Sequence, residues 1–342
     1  MLFRLTRPLV GLAAILLAGA ASAQAAEEVN VYSYRQPFLV KPLFDAFTAE
    51  TGITVNTIFA EKGLIERMAQ EGRNSPADVL LTVDIGRLTE AVKQGVTQPL
   101  ESGVVNANIP EAWRDPAGHW FGLTRRARVV YASIDRVKQD SITYEELADP
   151  KWKGRICIRS GQHVYNLALI ASMIVHHGVD EARTWLQGVK DNLARKPAGG
   201  DRQQVKGIYS GECDIAVANT YYMGKMQTNE ENPEEKEWAA SARILFPNSD
   251  DRGTHVNISG VVLAKYAPNR DNAVKLIEFL SSDEAQRIYA ETNFEYPVKP
   301  GVPWSDRVKS WGEFKADTIS LDRIAKARDA ASKLVDEVRF NE

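Results

Sequence analysis

The chain has 342 residues, a length that suggests two domains. Hydrophobic residues make up 44% and charged residues 25%, the balance of a folded soluble protein, which excludes disorder, collagen and a disulfide-dense miniprotein. The formal charge of −3 leaves no global cationic field to attract nucleic acid.

The chain opens with a basic stretch holding Arg4 and Arg7, then an apolar run from Leu9 to Ala21. Two overlapping small-residue sites follow, Ala21-Ser22-Ala23 and Ala23-Gln24-Ala25. This is the pattern of a cleavable secretory signal peptide over residues 1–25, which places the mature chain in the periplasm. The apolar run falls short of the roughly 20 residues a spanning helix needs. Export gives Cys157 and Cys213 a meaning. An even pair in an oxidising compartment favours a disulfide over two buried free thiols, and the long loop it would close is worth roughly 4 kcal/mol.

In the mature chain, Val29–Tyr34 alternates like a strand. Pro42–Thr51 reads as a helix closed by Gly52, Ile53–Phe59 as a strand, and Lys62–Glu71 as a helix ended by Gly72. Val79–Val83 is a near-continuous apolar strand, and Ile85–Gln94 a helix stopped by Gly95. Trp120–Ile134 reads as extended chain. Gly154–Arg159 is a strand followed by helices over Gln162–His176, Val179–Asn192 and Gln203–Ser210. Cys213–Ala218, Arg243–Phe246 and Ile258–Ala264 read as strands. Asn269–Leu280, Asp283–Glu291 and Thr318–Val338 read as helices. Strands alternating with helices argue for parallel α/β layers.

An exported two-domain α/β chain without a nucleophile motif suggests a substrate-binding protein, two lobes closing on a ligand by hinge motion. The expected boundaries are 26–125 for the first part of lobe 1, 126–250 for lobe 2, and 251–342 for the return to lobe 1 and C-terminal helices. The crossings between lobes fall near Thr124–Val129 and Asp251–Asn257, both rich in polar residues.

Tyr221 and Tyr222 follow the buried strand Cys213–Ala218, and ligands in open α/β sheets sit beyond the carboxyl ends of strands. Tandem tyrosines there can project two phenol oxygens into a cleft, or simply pack half-buried with satisfied hydroxyls. Arg159-Ser160-Gly161-Gln162 follows another strand and opens a helix whose first turn holds Tyr165. Ser160 and Gly161 could bind an anion at that helix start, and Arg126 lies on the expected crossing. Three phenols, an arginine and an anion site suit ferric iron, Fe(III). The ion is small and hard, and three phenolates offset its charge.

The segments Val31–Pro37, Ser75–Leu80, Trp120–Val129, Ile158–Asn166 and Asp214–Tyr222 together resemble the periplasmic ferric-ion-binding proteins of bacterial ABC-type iron importers. The resemblance covers essentially the whole mature chain. It implies iron on Tyr221 and Tyr222, joined by Tyr165 as in the tyrosine-rich subgroup. It implies carbonate or another small anion to complete the coordination, with no catalysis. It also implies a partner in an inner-membrane ABC permease and its ATPase, with the carrier a monomer. Many relatives place a histidine where this chain has Gln36, and others a tyrosine at Pro37 or a glutamate near Val83-Asp84. The resemblance is therefore closest to members whose protein ligands all come from the second lobe.

From the first lobe, Arg35 and Gln36 are candidate anion contacts. Tyr34, two residues beyond Tyr32, shares its strand face. His163 is expected to face away from Tyr165, and His176-His177 to complement the dipole of a helix end. Asp78 and Asp84 read as turn or capping residues. The alternative ligands are an organic anion or a polyamine. A polyamine would want several carboxylates, which the tyrosine and arginine cluster does not offer. No G-x-S-x-G or H-E-x-x-H motif supports an enzyme.

Overall fold

A computed structural model describes residues 27–342; the expected signal peptide lies outside the described residues. Ten strands form the framework. They are β1 (Glu28–Ser33), β2 (Thr54–Phe59), β3 (Val79–Val83), β4 (Thr97–Gln98) and β5 (Phe121–Ser133), then β6 (Ile156–Cys157), β7 (Ile215–Asn219), β8 (Ala242–Leu245), β9 (Val256–Ala264) and β10 (Tyr296–Pro297). The path through them runs β2-β1-β3-β9-β5-β7-β6.

β5 links two sheets. Its first half, Phe121 to Ala127, pairs with β9, and its second half, Arg128 to Ser133, pairs with β7 and β8. The change falls between Ala127 and Arg128, so Arg126 and Arg128 stand on either side of it. The expectation of parallel layers holds only for β1–β2, β1–β3 and β6–β7. β3–β9, β5–β9 and β5–β7 are antiparallel. Hydrophobic periodicity marks a strand but carries no information on its direction, so the sheet is mixed where a parallel one was expected.

Helix starts follow local chemistry. The first helix spans Pro37–Thr51, with Pro37 at its opening position, where a missing N–H costs nothing. Pro42 lies inside it and gives up the bond to the Phe38 carbonyl, on a residue exposed enough for water to replace it. The buried residues Val40, Leu43, Phe44 and Phe47 of this helix pack with Ile277 and Leu280 against the β1–β3–β9 sheet. Around β7, Ile170, Leu186 and Val217 join a second core that reaches Leu334 and Val335 of the C-terminal helix, Leu321–Glu337. That last helix packs against both Val164–His177 and Ile85–Lys93, and so touches elements beside each sheet. No described helix is long and apolar enough to cross a membrane.

Candidate metal centre

β7 is buried along its whole length and ends at Asn219; after Thr220, Tyr221 begins a short helix, Tyr221–Gln227. Gly224 in this helix lies against the Phe294 ring, where a Cβ would come within 2.3 Å of ring carbon. Only glycine lets the helix approach so closely. Tyr165 comes from the first turn of Val164–His177. The two elements are clamped at their bases by a disulfide between Cys157 on β6 and Cys213 just before β7, Cα atoms 5.9 Å apart.

The three phenols meet. Tyr165 Oη lies 3.1 Å from Tyr221 Oη, and the rings of Tyr221 and Tyr222 pack with centroids 4.3 Å apart. All three line a cleft of about 640 Å³ whose wall also includes Tyr34, Arg35, Gln36, Arg159, Asp201, Arg202 and Lys225. Burial, with the other two phenols, holds Tyr221 well above the usual tyrosine range; burial and Tyr165 do the same for Tyr222. Both are neutral without a cation. Among the described residues no group of three or more His, Cys, Asp or Glu is placed to hold a metal.

Three guanidiniums surround the Tyr165 ring. Those of Arg126 and Arg159 lie 5.3 Å from its centroid and that of Arg128 lies 5.8 Å away. Asp201, fully buried at the start of its helix, ties Arg128 and Arg159 together and accepts the Asn219 N–H at 2.9 Å. Burial alone would raise its carboxyl, but Arg128 and Arg159 bring it below the usual range.

The expected anion contacts separate into different places. Gln36 lines the cleft. Arg35 also lines it, but its guanidinium is bound to both Glu295 oxygens at 3.1 Å and to Ser259. The Gly161 N–H donates to Asn341 Oδ1 at 2.9 Å, and the Gly161 Cα packs under Phe340 and Val335. Ser160 Oγ accepts from the Gln162 N–H at 3.2 Å. This turn is thus used to dock the C-terminal tail, and neither residue lines the cleft. Arg126 faces a separate chamber, with Tyr165 in the wall of both.

The remaining candidates also have structural roles. Tyr34 Oη accepts from the Ile65 N–H at 3.0 Å. His163, expected to face away from Tyr165, instead packs edge-on against its ring, centroids 4.5 Å apart, because as the N-cap it turns its Nδ1 back onto the Tyr165 N–H; burial and Arg159 push it down to about 3. His176 and His177 are held by Asp317 and Glu145. Asp84 caps the Ile85–Lys93 helix, and Asp78 bonds the Asn30 and Asn269 amides.

Sequence reasoning did not single out Arg159, Asp201 or Lys225. Lys225 Nζ donates to the Thr292 carbonyl at 2.8 Å, and burial lowers it to about 8. Its signal was available: four residues after Tyr221 is the same helical face, once Tyr221 is known to start a helix.

A mixed α/β chain whose two sheets are joined by a shared strand, with a polar cleft between tyrosines and cationic side chains, has the build of a ligand-binding protein. Residues 74–318 match the family of bacterial extracellular solute-binding proteins, and the chain belongs to it. It is a binding protein and not an enzyme. Over 313 residues it is 49% identical to iron uptake protein A1 of Synechocystis, covering 91% of this chain and 87% of the relative. It superposes on the apo ferric ion-binding protein A of Pasteurella haemolytica with a TM-score of 0.89 and 54% identity, covering 93% and 99% of the two chains. The Trichodesmium protein IdiA, or FutA, solved in complex with iron and citrate, gives 0.86 and 44% identity over 92% and 99%.

Proposed function

We propose that this is a periplasmic carrier that binds ferric iron through the phenolates of Tyr165, Tyr221 and Tyr222 and delivers it to an inner-membrane permease and ATPase. The observation that carries the reading is the meeting of three tyrosines at one cleft wall, two of their oxygens 3.1 Å apart. The iron-named relatives support the cargo. Lobe 1 comprises residues 26–125 and the return from 251, and lobe 2 residues 126–250; the sheet change in β5 supports the first crossing. A signal peptide over residues 1–25 directs export, and the carrier acts as a monomer.

A cleft of about 640 Å³ exceeds what a bare ion fills, and this favours an exogenous anion beside the metal. Carbonate fits the smallest case. Arg159, Arg202, Lys225 and Gln36 line the wall where a larger polycarboxylate such as citrate would lie. Arg159 Nη1 is 3.1 Å from Asp201, which aims it beside Tyr165.

The test is a ferric titration read by the visible phenolate-to-iron band, in carbonate, in citrate and with neither. Tyr221→Phe and Tyr222→Phe keep ring packing and delete the oxygen. Affinity should collapse and the band shift or vanish in each. If the tyrosines only pack, each change costs roughly 1 kcal/mol of stability and leaves the titration unaltered. That result in both variants would remove the basis for an iron carrier. Iron must displace the protons of Tyr221 and Tyr222, so binding should release about two protons or more and weaken steeply as pH falls.

A further inference from the structure

Asp84 stands between β3 and the helix Ile85–Lys93. Its side chain is fully buried, and its φ of 86° lies in the left-handed region that a residue other than glycine rarely adopts. Such strain persists only where the surroundings fix it, and it gathers at functional positions. Here the surroundings are hydrogen bonds. The Asp84 N–H donates to the Ile258 carbonyl of β9 at 2.8 Å. Oδ1 accepts from the Gly86 N–H at 2.9 Å and from Arg328 Nη1 at 2.8 Å, and Oδ2 accepts from Asn257 Nδ2 at 2.9 Å. Arg126 Nη2 lies 3.6 Å from Oδ2. One carboxylate thus gathers β5, β9 and the C-terminal helix.

Two of those partners continue to Tyr165. Arg328 Nη1 also donates to the Val164 carbonyl at 3.2 Å. That oxygen belongs to the peptide group that carries the Tyr165 N–H, and His163 Nδ1 accepts this N–H at 3.3 Å. The peptide is therefore held at both ends. The Arg126 guanidinium stands 5.3 Å from the centroid of the Tyr165 ring. Backbone and ring of Tyr165 are each one arginine away from Asp84, although the two residues stand beside different sheets. Gly86 opens the path, since a Cβ there would come within 2.1 Å of Arg328 Nε. The side chains of Asp84 and Arg328 are 0% and 15% exposed, so water and salt screen their contact little.

We infer that Asp84 is a positioning residue for Tyr165, acting through Arg328 and Arg126; this rests on the reading of Tyr165 as an iron ligand. Asp84 does not line the cleft. Through it, the part of the chain that supplies no phenol sets the aim of one of the three.

Two variants test this. Gly86→Ala keeps the N–H bonded to Asp84 and removes only the space through which Arg328 passes. Asp84→Asn keeps an oxygen for the helix cap and withdraws the charge from Arg126 and Arg328. Each is titrated with ferric iron in carbonate, alone and combined with Tyr165→Phe. Alone, each should weaken binding roughly five- to 30-fold; combined with Tyr165→Phe, each should add little. In iron-free protein, hydrogen exchange should quicken at the Tyr165, Asn166 and Leu167 amides, all of which His163 holds. A merely structural role would weaken iron binding equally with and without Tyr165→Phe. That result, or unaltered titration and exchange in both single variants, overturns the inference. Should Asp84→Asn fail to fold, Gly86→Ala decides alone. An unaltered titration for Tyr165→Phe itself would remove Tyr165 from the ligand set; the exchange readout, which needs no iron, then decides whether Asp84 positions it.

Discussion

His255 has no place in any motif, yet its burial gives a readable effect of pH. The folded imidazole resists protonation down to about 3, whereas an unfolded histidine titrates near 6.5. As pH falls below 6.5 the unfolded chain takes up a proton that the native chain refuses. Stability is therefore complete above about 6.5 and is lost as pH drops toward 3. Well inside that window the loss is roughly 1.4 kcal/mol per pH unit for each such group. His163, also down to about 3, adds a second contribution with the same sign. Urea unfolding between pH 4.5 and 7.5 checks this. His255→Gln should flatten the profile by about one proton, and a profile parallel to wild type would show that His255 is not responsible. At this scale the tandem Tyr221-Tyr222 was legible because adjacent phenols after an apolar strand are conspicuous. Arg159 and Asp201 were not, because their roles come from a pairing across 42 residues that no local spacing encodes.

The helix Tyr221–Gln227 has only seven residues, too few to hold itself in water, so its position depends on what it touches. Gly224 lies against the Phe294 ring, with no room for a Cβ between them. Gly224→Ala forces a shift of helix or ring, with an expected cost of roughly 1–3 kcal/mol and a displaced phenol pair. Both Tm and the iron band should change; an unchanged band would mean that the helix is placed by other contacts. The disulfide should behave in the opposite way. Cys157 and Cys213 lie below the site, outside its donor set, and replacing both with serine should cost roughly 2–5 kcal/mol while the iron band persists. Two reactive thiols in the unreduced, denatured wild-type chain would refute the bridge. The pairing of these cysteines could be anticipated from export and an even count. The short helix could not, since seven residues carry little periodicity. The Ser160-Gly161 turn looked like an anion site because its composition suits one. Its amide instead binds Asn341, a residue 180 positions away in the sequence.

At the scale of the whole molecule, the cleft has Tyr34, Gln36, Phe38 and Leu39 on one side and Tyr165, Tyr221, Tyr222 and the 228–232 loop on the other. Eight of the ten strands were foreseeable from alternating elements; the two-residue strands β4 and β10, strand direction and the path of the C-terminal helix were not. That path bears on motion. Arg328 of this helix bonds Asp84 at the start of one helix and the Val164 carbonyl at the start of another, 2.8 and 3.2 Å away. With β5 continuous through both sheets, one side of the cleft is tied at two levels. Closure must then be a rotation about that side, bringing the opposite lips together. Iron supplies the differential contact, because a ligand shifts such an equilibrium only as far as it binds one state better. Small-angle scattering should give a smaller radius of gyration for iron-loaded than for iron-free protein. Hydrogen exchange should slow at the lips, around Phe38 and the 228–232 loop, and change little at Gly161–Tyr165. An unchanged radius with proven binding would sink closure while leaving the ligand assignment intact. Slowing confined to Gly161–Tyr165 would place the moving segment at the tail-docked turn and overturn the axis argued here.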